Sequence, residues 1–265
     1  MVSKTFVSVS KMIHNLNQRE KAILDILMDG RSNSVADISG ELGVSQVTTR
    51  TLLSGLSEKG LIVRTWGGAI PAFAPEILNS SRTREDEKRR IARVAAERVG
   101  DGDTVMIEAG TTTALVASYL LGRRATVVTN SMLVVPYARA NPAMRLTVVG
   151  GEFRAATESM VGPVAQSQLS SFHVKIAFVG TDGFSMDHGL STHLPEGAEI
   201  VKTMARQAEQ TVLVADSSKW NQRGFVSVLP LSAVDTIVSD AELDGMLTDE
   251  DRESFDEKNV ELVFA

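Results

Sequence analysis

The sequence predicts a chain of two parts: an N-terminal winged helix-turn-helix, and a larger α/β domain on a mostly parallel sheet. Three observations predict it. From Asp103 onward, seven short apolar runs alternate with runs of helical periodicity. Most of these runs lack polar alternation, as do parallel strands buried on both faces. Before them, residues 17–60 carry three short amphipathic stretches, each closed by a glycine and two of them opened by a capping residue. Charge divides at the same place. Residues 1–70 hold 8 Lys+Arg against 6 Asp+Glu, a net of +2; the remainder holds 19 against 27, a net of −8. A mildly basic head on an acidic body suggests that the head is the part that meets a polyanion.

The first helix opens with Asn17 and Glu20 in capping-box spacing, runs through Ile23, Leu24 and Leu27, and stops at Gly30. The second places Ile38 and Leu42 four apart and closes at Gly43. The third starts from Ser45 as N-cap and ends at Gly60. After it, "LIVRTWGGAIP" reads as two extended pieces around Trp66-Gly67-Gly68, a hairpin wing. The short "ELGVS" turn sets a steep angle between the second and third helices. It leaves Ser45, Gln46, Thr48, Thr49 and Arg50 near the start of the third, with Thr51 and the wing's Arg64 as further candidates. Such side chains reach base edges and phosphates in a major groove. The blander alternative is a three-helix bundle that packs on the body and touches no DNA. The DNA-binding domain is placed at residues 1–70, with a linker and the start of a connecting helix at 71–90. Pro71 and Pro75 mark the linker, and the charge run Arg82–Arg90 opens a helix with Ile91, Val94 and Ala95 on its apolar face. That run reads as a solvated face, with Arg82, Arg84 and Arg89 as secondary phosphate candidates.

Residues 91–265 form the α/β domain. Its expected strands are "TVMIEA", "ATVVTN", "LTVVGG", "KIAFVGTDG", "TVLVAD", "TIVSD" and "VELVFA"; "TALVASYLLG" and "AEIVKTMARQAEQ" read as helices. In open α/β sheets, ligands bind beyond the carboxyl ends of the strands. Those ends read Glu108-Ala109-Gly110-Thr111-Thr112-Thr113, Thr129-Asn130-Ser131, Gly150-Gly151 with Arg154 beyond, Gly180-Thr181-Asp182-Gly183, and Asp216-Ser217-Ser218-Lys219. Glycines let a backbone approach a ligand, and hydroxyls with the N–H groups of a helix start bind anionic oxygens. Lys219 adds positive charge; Glu108, Asp182 and Asn130 can hydrogen-bond sugar hydroxyls. Any one of these turns is ordinary. Five in one sheet favour a phosphorylated polyhydroxy ligand.

No cofactor is expected, because neither a G-x-G-x-x-G nor a Walker A loop follows a strand. His14, His173, His188 and His193 lack metal-ligand spacing, and the chain has no cysteine. His188 and His193 bracket "GLST" near Glu196 and read as solvated loop residues. No run reaches membrane-spanning length and the N-terminus has no signal-like apolar stretch, so a cytoplasmic protein with no membrane partner is expected.

In their order and spacing, "VSQVTTRTLLSGLSEKGLIVRTWGGA", "EKRRIARVAAERVGDGDTVMIEAGTTT", "VVTNS", "VVGGEFR", "AFVGTDG", "GLST" and "ADSSKW" resemble the DeoR family of bacterial sugar-catabolism regulators. The resemblance runs over nearly the whole chain. It implies a winged helix that binds operator DNA, and a C-terminal domain similar to sugar-phosphate isomerases that senses a phosphorylated metabolite without turning it over. On that analogy Gly110 to Thr113 cradle phosphate, while Asn130, Asp182 and Lys219 line the pocket. The implied activity is repression of a carbohydrate operon, relieved by a phosphorylated sugar or polyol. A homodimer or homotetramer is expected, since such proteins read paired half-sites, and the linker near Pro71 would transmit the change. Two positions depart from the family. Its usual Thr-Ile-Arg-Arg-Asp-Leu reads Thr48-Thr49-Arg50-Thr51-Leu52-Leu53 here, and its usual aspartate before the glycine-threonine loop is Glu108. Two other readings stand beside this one. In a sugar-phosphate isomerase, Glu108, Asp182 and Lys219 would supply acid, base and charge. A phosphate-sensing scaffold would show no salt-dependent DNA binding.

Overall fold

In the computed structural model, which describes residues 16–30 and 33–265, the N-terminal helices form where their caps fall. Helix α1 (Gln18–Met28) begins with a reciprocal capping box: Glu20 N donates to Asn17 Oδ1 and Asn17 N donates to Glu20 Oε2. Helix α2 (Val35–Leu42) is capped by Ser34 and ends at Gly43, whose φ of 63° is the left-handed region that glycine enters without penalty. Helix α3 (Gln46–Glu58) starts where Ser45 Oγ accepts from Thr48 N. The apolar stripes face inward, and Ile23, Leu24, Leu27, Ile38, Leu53 and Leu56 are buried. Glu20 is buried among them, and its two carboxylate oxygens accept from Lys59 Nζ at 2.6 and 2.7 Å. Strands β1 (Ile62–Thr65) and β2 (Gly68–Pro71) pair antiparallel with Thr65 opposite Gly68, leaving Trp66 and Gly67 at the turn.

The expected linker is structured. Pro71 ends β2 opposite Ile62, and Pro75 is the first residue of α4 (Pro75–Arg82). Proline suits a helix start because its fixed φ is helical and its missing N–H has no partner to lose there. The expected helix from Arg82 is interrupted. Arg84 takes φ 51°, and α5 (Glu85–Glu97) begins after it. Two compact units result. One runs through Thr83 and includes Ala155–Thr157; the other comprises Arg84–Arg154 and Glu158–Ala265.

The second unit is built on seven parallel strands, β3 (Thr104–Ile107), β4 (Ala125–Thr129), β5 (Met144–Val148), β8 (Val174–Val179), β11 (Ala208–Val214), β13 (Thr236–Ser239) and β14 (Glu261–Phe264). Each corresponds to one expected apolar run. Helices α6 (Thr111–Ser118), α7 (Val135–Ala140), α8 (Pro163–Leu169), α9 (Pro195–Arg206), α10 (Ala241–Met246) and α11 (Asp249–Glu257) connect them. Val105, Ile107, Ile176, Phe178, Val212 and Ile237 are almost wholly buried, as strands covered on both faces require. Trp220 packs between Phe184 and Phe255 with centroids at 5.2 and 5.9 Å.

Two details differ from expectation. The helical reading of "AEIVKTMARQAEQ" extends too far, because Ala208 and Gln210 pair with Val174 and Ile176 and start β11. Ladder pairing there overrides a weak helical period. Small antiparallel groups, the hairpin of β6 (Glu152–Arg154) with β7 (Ser159–Val161) and the trio β9 (Gly183–Ser185), β10 (Gly189–Thr192) and β12 (Val226–Ser227), carry no period long enough to read. Among the described residues, no helix is long and apolar enough to cross a membrane.

The sheet order β14-β13-β11-β8-β3-β4-β5 positions the site. The chain adds strands to one side of β3 and then, from β8, to the other. The switch point therefore lies between β3 and β8, and their carboxyl ends are where open α/β sheets bind ligands. Because α5 leads into the start of β3, its own N-terminal turn lies at that same carboxyl end.

Candidate functional site

Glu108 follows β3 directly and sits at the switch point. Its backbone N donates to Phe178 O at 3.0 Å, and its Oε2 accepts from Gly180 N at 3.3 Å. Burial raises its carboxyl pKa to about 8; the Gly180 N–H opposes that and the nearby Asp182 charge adds to it. At neutral pH Glu108 is therefore mostly a neutral acid with a proton to donate. A Cβ placed on Gly180 would lie 3.4 Å from Glu108 Oε2, so the end of β8 closes onto this carboxyl.

Next to it, Ala109 N donates to Asn130 Oδ1 at 3.0 Å, and Asn130 Nδ2 donates to Met160 O at 3.1 Å. Asn130 thereby ties the β3 loop to the end of β4 and to β7. Gly110 is the N-cap of α6, with Thr113 Oγ1 donating to Gly110 O at 3.0 Å. Thr112 and Thr113 are buried and Thr111 is half-buried. The first turn of α6 presents N–H groups that have no carbonyl four residues back, and the helix dipole makes them a seat for an anion.

Other candidate residues have a structural use. Asp182 Oδ2 accepts from Thr192 Oγ1 and from His193 N, both at 2.8 Å, and so holds the end of β10. Ser131 is fully buried, and its Oγ accepts from Leu133 N at 3.2 Å within its own turn. Gly183 is required by packing, since a Cβ there would lie 2.2 Å from Gln222 O. Gly151 has φ 145° and a Cβ would meet Val161 O at 2.6 Å, so the β6–β7 hairpin accounts for it. Arg154 is exposed on β6 and pairs with Glu196 at 2.6 Å. Among the described histidines, His173, His188 and His193 are exposed. His188 lines a cleft of about 270 Å³ with Met186 and Lys258, which shares no lining residue with the strand ends named above. His14 lies outside the described residues.

Sequence reasoning missed Lys88 at this end of the sheet and named Arg84 only as a secondary phosphate candidate. Lys88, in the first turn of α5, is only 5% exposed. Burial lowers its pKa to about 8; Asp216 pulls it back up, while Lys219 and Arg84 push it down. Lys88, Lys219 and Arg84 thus converge around Asp216. Arg84 donates from Nη2 to Glu242 Oε2 at 2.8 Å and to Ser217 Oγ at 3.1 Å. It also forms ion pairs at 3.4 Å with Asp216 and with Asp240. The solvated-face reading of the charge run fails for both residues. A usable signal existed for Lys88: it falls in the stripe 88, 91, 92, 95, 96, 99, whose other members are Ile91, Ala92, Ala95, Ala96 and Val99, all buried. Arg82 pairs with Asp25 at 2.5 Å, and Arg89 with Glu85 at 2.6 Å.

In the first unit, Ser45, Gln46, Val47, Arg50, Thr51 and Ser54 are exposed on α3. Thr49, expected to face DNA, is fully buried and donates its hydroxyl to Ser45 O at 3.2 Å; it belongs to the core side of the helix. Thr48 Oγ1 lies 2.9 Å from Ser45 Oγ. Arg64 donates from Nε to Gly68 O at 3.3 Å and from Nη1 to Ser54 Oγ at 3.4 Å, tying the wing to α3. Trp66 stands wholly exposed at the wing tip.

Comparison with known proteins agrees with both halves. Residues 19–72 match the DeoR-like helix-turn-helix domain and residues 83–241 match the DeoR C-terminal sensor domain. The chain is 32% identical to the HTH-type transcriptional regulator GlpR of Haloferax volcanii, over 93% of this chain and 96% of that one. It is 32% identical to the HTH-type transcriptional repressor GlcR of Bacillus subtilis, over 84% and 88%. It is 30% identical to the transcriptional repressor AccR of Agrobacterium fabrum, over 87% and 92%.

Proposed function

The chain belongs to the DeoR family of transcriptional regulators, and from that premise we propose that it represses a carbohydrate catabolic operon under the control of a phosphorylated sugar or polyol. One observation carries this reading. The switch point joins the N-terminal turn of α6 to a buried acid, Glu108, at the sheet end where Lys88 and Lys219 gather. In this reading the phosphate takes the N–H groups of Gly110 to Thr113 and the hydroxyls of Thr111 and Thr112, with Lys88 and Lys219 balancing its charge. Glu108 meets a hydroxyl of the sugar, and Asn130 and Gly180 hold Glu108's loop in place. Ser131, Gly151, Arg154, Asp182 and Gly183 shape the surrounding turns. The relatives are named as regulators and not as enzymes, so the isomerase reading is not favoured.

On the DNA side, Gln46 and Arg50 are the polar heads offered to bases and phosphates, with Ser45, Thr48 and Thr51 beside them and Arg64 setting the wing. Half-sites are read in pairs, so the active form is a homodimer or homotetramer. The effector must bind the repressing and released arrangements differently for control to work. Pro71 is a poor transmitter, because it is paired within the hairpin. The better route is the Thr83–Arg84 step, where the chain passes from one unit to the other and Arg84 is gripped by Asp216, Ser217 and Asp240.

A thermal-shift screen tests the sensor. Phosphorylated sugars and polyols are compared with their unphosphorylated parents and with inorganic phosphate. One phosphorylated compound should stabilise the protein by about 2.7 kcal/mol at a hundred times its dissociation constant, while its parent does not. That compound should also weaken DNA binding, and Lys88→Gln should abolish its shift. A panel with no shift removes the strand-end pocket; a shift that leaves DNA affinity unchanged removes its control of the head.

A further inference from the structure

The outward face of α3 carries one feature that polar contacts to DNA leave unused. Val47, in the first turn, is 72% exposed. Valine is a poor helix former, and at this exposure it contributes little to the core, so local stability gives no reason for it. Its exposed neighbours on the helix are Gln46, Arg50 and Thr51, so it is a single apolar side chain among polar ones. A protein interface calls for a broader apolar core.

The hydroxyls around Val47 are turned back onto their own helix. Thr51 Oγ1 donates to Val47 O at 3.2 Å, Ser54 Oγ donates to Arg50 O at 2.9 Å, and Thr48 Oγ1 meets Ser45 Oγ at 2.9 Å. That leaves Gln46 and Arg50, whose heads meet at 3.4 Å, flanking the isopropyl group one residue before and three residues after. Both have the chemistry for base edges and phosphates, and both sit in the segment of a recognition helix that approaches the bases.

We infer that Val47 is a specificity-determining residue that reads a thymine through its C5-methyl group in the major groove. That methyl is the apolar group a base pair presents there, and an isolated valine between two polar heads matches it in size and chemistry. The inference rests on α3 entering the major groove, as the family's helix-turn-helix does in the function proposed above. Arg50 and Gln46 fix the helix on the duplex, and Val47 separates thymine from cytosine at one position.

The test uses the full chain. Duplexes are selected from a randomised double-stranded pool, and each thymine of the winning sequence is replaced in turn by deoxyuridine, which removes only the C5-methyl. At one thymine or more, replacement should weaken wild-type binding about fourfold, the effect of one buried methyl group. In Val47→Ala that loss should shrink towards none, and the salt dependence should stay that of the wild type because no phosphate contact is removed. Arg50→Ala, by contrast, should weaken binding across all sequences. Selection that succeeds with no uracil-sensitive thymine, or with equal sensitivity in Val47→Ala, overturns the role of Val47 alone. Selection that enriches nothing overturns both it and the placement of α3 in the groove.

Discussion

Replacing Arg84 with alanine is expected to lower the unfolding free energy by about 3 kcal/mol, the usual result of leaving buried charge without its partner. Asp216 and Asp240 are 3% and 1% exposed, and both lie within ion-pair distance of the guanidinium. Arg84 also holds a left-handed backbone, which L-residues other than glycine adopt at a loss of about 1 kcal/mol. Arg84→Gly relieves that strain while losing the same contacts, so it should be about 1 kcal/mol more stable than Arg84→Ala. Urea unfolding of the three proteins measures both differences. Burial opposes ionisation of Asp240, but the Ser217 N–H and hydroxyl, the Arg84 charge and the Glu242 N–H outweigh it and hold its pKa below the usual value. Stability from this group is present above the ordinary carboxylate range and is lost as pH falls through the lowered pKa. The gap between wild type and Arg84→Ala should therefore narrow in acid. A loss below 1 kcal/mol at neutral pH would mean that Ser217 and the backbone satisfy the carboxylates alone.

Glu108 should give the second large effect, with the opposite pH dependence. Its folded pKa of about 8 stands above the ordinary 4.5, so the folded state binds a proton that the unfolded state releases between those values. Stability is fully present below the lower value and falls by about 1.4 kcal/mol for each pH unit as pH rises towards the upper one. Between pH 5 and pH 8 the wild type should lose about 3 kcal/mol from this group. Glu108→Gln keeps the shape and cannot ionise, so its unfolding free energy should lack that contribution and exceed that of the wild type above pH 8. Parallel pH profiles for the two proteins would show that Glu108 ionises freely and would remove the neutral acid from the proposed sugar contact.

Much of the fold was legible from local features. The Asn17–Glu20 capping box, the Ser45 cap and the glycine ends of the first three helices depend on residues within a turn of one another, and they form as read. Seven apolar runs became seven parallel strands; the inner ones are apolar because they are covered on both faces, while the edge strands β5 and β14 are largely unburied. Pro71 and Pro75 were less decisive. Proline marks a linker, a strand end or a helix start equally well, and its neighbours chose the last two.

What the sequence by itself determined is the two-part design: a helix-turn-helix with a wing, an α/β sheet, and small polar residues at the strand ends. Those properties follow from caps and periodicities spanning a few residues. Only the tertiary structure decided which polar residues are buried, which carry shifted charge, and which are held in the fold's own hydrogen bonds. Glu108 became a neutral acid because β8 lies beside β3 and buries it; Gly180, 72 positions away, closes over the carboxyl, although its N–H pulls the pKa the other way. Arg84 and Lys88 left the solvated face of a charge run because strand order set the Asp216 turn beside them, with Ser217 133 positions from Arg84. Thr49 turned inward although it reads like its polar neighbours, because its place on α3 lies on the buried side with Leu53 and Leu56. Burial and charge environment belong to residues that meet in space, so strand order and helix packing settle them and composition along the chain does not.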